Sequence, residues 1–121
     1  MKKKTFKVPI YDYTVVFIEI ESSEDADKVV PIFKSLKMVD EDIESEVARI
    51  KRGCYDGGNT WRNLERKTFM ILLYPFSSSL KRRNVLNHEK RHLEDRILEH
   101  CQINDLEAAG YLAGFLSEKI Y

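Results

Sequence analysis

All three histidines of the chain fall within the stretch "NHEKRHLEDRILEH", Asn87 to His100. Two of them, His88 and His92, bracket Glu89 in the order H-E-x-x-H. Residues four apart on a helix point about 40° from each other and lie one turn apart, so both imidazoles can present a nitrogen to one metal ion. A carboxylate beside the first ligand reaches a water held at the metal rather than the metal itself. Zinc lowers the pKa of such a water towards neutrality, and a base that orients and deprotonates it makes it a nucleophile. Hydrolysis is the chemistry this spacing permits. A charged helix face also spells these five residues by chance, so the surroundings decide between the two.

Two histidines do not complete a zinc centre, which takes a third protein ligand and an open position. His100 lies eight residues past His92, which on one continuous helix is about 12 Å along the axis, whereas a zinc–nitrogen bond is about 2 Å. Distance excludes it, and it reads as a residue near a helix C-terminus, where positive charge suits the dipole. The longer pattern H-E-x-x-H-x-x-G-x-x-H also fails, because Asp95 and Leu98 stand where it needs Gly and His. Glu107 is the better third ligand, in the first turn of the next helix, just after the Asn104–Asp105 break. A short connection makes consecutive helices antiparallel neighbours. Glu107 therefore reaches His92 only if the first helix ends before His100 or the second crosses it steeply. Ala108, Ala109, Gly110, Ala113 and Gly114 would allow a close crossing, although small residues serve plain packing equally well.

Periodicity indicates the elements that must hold these groups. "YTVVFIEIE", Tyr13 to Glu21, is rich in β-branched and aromatic residues and reads as a strand, with "KTFKV" a shorter one before Pro9. Ser22 or Ser23 can cap a helix that begins with Glu24, Asp25 and Asp27, and Pro31 should kink it or delay its start. Asp40 to Arg52 has acidic residues first, basic residues last, and Ile43, Val47 and Ile50 at helical spacing. "GCYDGGNTWRN", with three glycines, reads as a loop or hairpin turn, either a substrate-side loop holding Trp61 or a turn with a core tryptophan. "KTFMILLYP", Lys67 to Pro75, is a nearly continuous apolar run that suggests a central, buried strand. Leu80 to Cys101 carries Val85, Leu86, Leu93, Ile97, Leu98 and Cys101 on one helix face, and Leu106 to about Ile120 forms a last helix. The expected class is α+β, a small sheet of three to four strands packed against helices.

Composition narrows the function. The chain has 121 residues, and its 20 Lys and Arg balance its 20 Asp and Glu. That length suits one domain over 1–121, and the zero net charge argues against a strongly basic nucleic-acid binder. "MKKK" and "LKRR" read as a solvated tip and a solvated helix turn. Cys54 and Cys101 lack Cys-x-x-Cys spacing, so free thiols in a reducing, cytoplasmic setting are expected. No apolar core follows the Lys run, and nothing reaches the length of a membrane span, so no membrane partner is expected.

The segment "NHEKRHLEDRILEHCQINDLEAAGYLAGFLSEKI" resembles the C-terminal part of small H-E-x-x-H proteins of bacteriophages, prophages and related mobile elements, described as gluzincin-like zinc metallopeptidases. In these the motif is followed, after a short turn, by a helix of the E-A-x-A-Y kind. "PIYDYTVVFIEI" and "TFMILLYP" resemble the strands of their upstream half. The resemblance implies a zincin-like active-site helix followed by a C-terminal ligand-bearing helix. It further implies zinc held by His88, His92 and Glu107, with Glu89 as general base and Tyr111 as a donor to Glu107 or to an oxyanion. A tyrosine packed with its hydroxyl at the rim would explain Tyr111 equally well. Lys90 and Arg91 depart from the apolar residue often found in the motif, and Gly110 stands where Ala is usual. Two cations beside a dication are tolerable if both point to solvent. Lys90 lies about 200° and Arg91 about 300° round the helix from His88, which makes Arg91 the more awkward.

The leading expectation is a zinc-dependent peptidase acting on a peptide or protein, which the strand Lys67 to Pro75, or the one beside it, would receive by edge pairing. The rival is a non-catalytic structural or interaction protein that keeps the same fold. A nucleic-acid module using Lys81, Arg82, Arg83, Lys90 and Arg91 is disfavoured by the zero net charge.

Overall fold

The computed structural model describes residues 1–121. Four strands, β1 (Lys2–Val8), β2 (Tyr13–Glu19), β3 (Gly58–Asn63) and β4 (Thr68–Leu73), form one mixed sheet in the order β1-β2-β4-β3. The β1–β2 and β3–β4 pairs are antiparallel hairpins, whereas β2 and β4 run parallel, with Val16 opposite Met70. Parallel neighbours need a crossover. Here it consists of a 3₁₀ turn (Ser23–Asp25), α1 (Ala26–Ser35), α2 (Asp40–Lys51) and β3 itself. Two further helices, α3 (Ser79–His100) and α4 (Leu106–Ile120), complete an α+β fold.

The pleat divides the sheet residues between two cores. Val15, Phe17, Phe69, Ile71 and Leu73 point to one face and pack with Leu86, Leu93 and Ile97 of α3 and Leu112, Leu116 and Ile120 of α4. Val16, Ile18, Met70 and Leu72 point to the other face and pack with Val29 and Phe33 of α1 and Ile43 and Ile50 of α2. Buried on both faces, β4 needs the continuous apolar run that its sequence shows. Over the first face the helices divide the sheet. α3 packs on β3 and β4, and α4 packs on β1, where Phe115 meets Phe6 edge-on at 6.3 Å.

Local chemistry sets the boundaries. Ser78 caps α3 by accepting from the Lys81 N–H, and Asp105 caps α4 by accepting from the Glu107 N–H. α3 runs unbroken to His100 and closes with Gln102 in the left-handed region at φ 56°, where Ile103 N–H bonds back to Leu98 O at 2.9 Å. Pro31 lies inside α1, whose α-helical part begins only at Ala26, after the 3₁₀ turn. No helix is long and apolar enough to cross a membrane.

One expectation fails. Part of "GCYDGGNTWRN" is not loop, because Gly58–Asn63 is a sheet strand. The short, polar β3 lacks an apolar run because it sits at the edge, paired only with β4. Thr60 and Trp61, both good strand formers, followed by a turn into β4, were the available signal. Gly58 has a clear steric reason. A Cβ there would lie 2.8 Å from Leu73 Cδ2 and 2.9 Å from the Leu72 carbonyl oxygen, with Val85 of α3 at 3.3 Å. Only glycine lets β3 approach this closely.

Candidate functional site

His88 and His92 stand one turn apart on α3, both exposed, with Glu89 buried between them and the sheet. The two Nε2 atoms face each other at 2.9 Å, with the ring planes nearly perpendicular at 86°. Two zinc–nitrogen bonds of about 2.0–2.1 Å at a tetrahedral angle hold their nitrogens about 3.3 Å apart. The observed 2.9 Å is about 0.4 Å short of that spacing, so the rings would have to turn slightly apart to serve as two ligands of one zinc ion. The observed separation suits a hydrogen bond between one protonated and one free ring nitrogen.

Glu89 is 6 % exposed, and its Oε2 accepts a hydrogen bond from the Thr60 hydroxyl of β3. A buried carboxylate without such a donor would be costly. Thr60 thus holds Glu89 at the floor of a groove of about 540 Å³ between α3 and the sheet edge. Asn59, Thr60, Trp61 and Arg62 line one wall, and His88, Glu89, His92 and Arg96 line the other.

β3 is tied on its opposite face as well. Asn59, next to Thr60, donates to the buried Glu46 of α2 at 2.6 Å. Glu46 also accepts from the Tyr74 hydroxyl at 2.6 Å and from Arg49 at 2.9 Å. Burial, and then the Glu46 carboxylate beside it, pushes the Tyr74 hydroxyl well above the ordinary phenol range. Trp61 packs into the α1/α2 core as a half-buried residue. The edge strand is held from both helical layers through adjacent residues.

Asp56, at φ 57°, accepts from the Ser77 N–H and hydroxyl, both at 2.8 Å, and from Lys81 at 3.2 Å. These bonds, the Ser77 backbone N–H foremost, hold its carboxyl below the usual range. They fasten the loop before β3 to the start of α3.

The fold does not bring every expected site residue together. Glu107 is exposed at the start of α4 and is not gathered with the histidines. No group of three or more His, Cys, Asp or Glu side chains suited to a metal ion occurs in the chain. The reason lies in the topology. β1 and β3 are opposite edges of the sheet, α4 packs on β1, and the histidines face β3, so Glu107 sits on the wrong flank of α3. The first condition for its reach is not met, since α3 continues to His100. Tyr111, one turn along, is 74 % exposed.

The two motif cations are neutralised. Arg91 is exposed and pairs with Asp95 at 3.2 Å. Lys90 does not point to solvent as its position required. It is 14 % exposed and forms an ion pair at 2.5 Å with Glu94, itself 9 % exposed. That flank lies about half a turn round α3 from His88. His100 stays apart from the pair, its Nδ1 against the Tyr13 hydroxyl. Burial, followed by contact with Cys101, pushes that hydroxyl up to about 12.

No family model, curated protein or solved structure matches the chain.

Proposed function

We propose that the chain is a zinc-dependent hydrolase of the metallopeptidase kind, with α3 as a zincin-like active-site helix. The observation that carries this reading is the convergence of the His88 and His92 Nε2 atoms, 2.9 Å apart, beside a buried Glu89 in a groove along a sheet edge. Zinc, when bound by the two histidines, supplies Lewis acidity towards a water and a peptide carbonyl. Glu89 takes the proton from the attacking water and passes it to the leaving amine. Thr60 fixes the direction of the Glu89 carboxylate.

The substrate would add to β3 as an extended strand. β4 is internal and closed to this, whereas one side of β3 carries unpaired backbone donors and acceptors. The other edge, β1, carries Lys2, Lys3, Lys4 and Lys7, which discourage strand addition there. Glu107, carried on α4 against β1, adds no third ligand in this arrangement.

A specific observation favours a second reading, a non-catalytic interaction protein with the same fold. The chain gathers two metal ligands rather than three. Zinc titration of metal-stripped protein by calorimetry separates the two readings. The hydrolase reading expects one equivalent bound, lost in His88→Ala and His92→Ala. Glu89→Gln should retain zinc while hydrolysis of a generic protein substrate falls by about 10²–10⁴-fold. Failure to take up zinc would sink the hydrolase and leave the interaction protein.

A further inference from the structure

The geometry points to a carboxylate-binding subsite in the same groove, formed by Arg62 of β3 and Arg96 of α3, which would select acidic peptides. This rests on the peptidase reading and names its substrate class. Residues two apart on a strand share a face, so Arg62 lies on the same side of β3 as Thr60. Arg96 is one turn beyond His92. Both arginines line the groove. Arg62 lies about 6.6 Å beyond Thr60 along the strand, and Arg96 about 6 Å beyond His92 along the helix.

No acidic side chain lies between them. Arg62 takes part in none of the chain's ion pairs, and Arg96 has only Glu99, at 3.3 Å, a residue whose side chain is 73 % exposed. Glu89, the one acidic group of the groove, is engaged by Thr60. Two guanidinium groups on opposite walls of one groove suit a carboxylate, which each can bind in a bidentate manner. A peptide extended along β3 advances about 6.6 Å in two residues. The subsite therefore accepts a carboxylate two residues from the bond held at His88 and His92, either a side chain or the peptide's own C-terminus.

The test measures binding by fluorescence anisotropy, on zinc-supplemented protein. The probes are labelled alanine-rich hexapeptides carrying Glu, Gln or Lys at one position, each with a free or an amidated C-terminus. The expected result is at least tenfold tighter binding of Glu than of Gln peptides. The preference should fall to within about twofold in Arg62→Gln/Arg96→Gln. If the preference follows the free C-terminus and disappears on amidation, the bound group is the terminal carboxylate. Thermal melting of the double variant, with Arg91→Gln as a surface control, separates loss of the subsite from loss of the fold. Equal binding of Glu and Gln peptides that is also unchanged by amidation overturns the subsite, as does an oligonucleotide outcompeting the Glu peptide. Zinc titration reports separately on the histidine pair, so either idea can fail alone.

Discussion

The Thr60 hydroxyl on the edge strand β3 donates to the buried Glu89 carboxylate on α3, joining a strand with an open side to the helix that bears H-E-x-x-H. Thr60→Val keeps the shape of the side chain but leaves a buried carboxylate without its donor. Stability should fall by about 1–3 kcal/mol in denaturant unfolding, and Thr60→Ser should recover most of it. Equal stability of the valine and serine variants would show that the hydroxyl does not hold Glu89.

Glu46 makes the matching tie on the far face, accepting from Asn59, Tyr74 and Arg49. Glu46→Ala strands the Tyr74 hydroxyl in the core and frees Asn59. A loss of about 2–4 kcal/mol is expected, larger than for Tyr74→Phe alone. Backbone amide exchange should rise selectively in β3, and an even rise across the sheet would contradict a local tie.

Gly58→Ala tests the close approach of β3. The added Cβ meets the Leu72 carbonyl oxygen at 2.9 Å, and backbone gives way less readily than a side chain. A cost of about 1–3 kcal/mol follows from overpacking. Gly110→Ala, where a Cβ meets nothing within 4 Å, should instead stabilise α4 by about 0.5–1 kcal/mol. Thermal melting of the two variants should give shifts of opposite sign.

Asp25 governs an acid-side dependence of stability. Burial alone would raise its pKa, but the Glu21 and Ser22 N–H groups, at 2.9 and 3.3 Å, donate to its carboxylate and bring it down to about 2. The unfolded value is about 3.9. A depressed folded pKa means that this contribution is complete above about pH 4 and is lost as the pH falls through about 2. Asp25→Asn should flatten the stability–pH curve between pH 4 and 2. A curve parallel to the wild type in that window would rule out Asp25 as its source.

What could be read from the sequence was whatever depends on near neighbours. The strands β2 and β4, the helix Asp40–Lys51 and the central position of β4 follow from periodicity. The approach of His88 to His92 follows likewise, because four residues of helix bring any two side chains together. Three matters were decided only by the tertiary structure. β3 is a strand because β4 supplies its partner, which its own polar residues do not announce. Glu89 meets Thr60 because Gly58 lets the strand approach α3. Glu107 stays away because α4 packs on β1 while the histidines face β3. Helix geometry determines which side chains share a face, but the flank on which the next helix docks depends on apolar surfaces distributed over the whole chain.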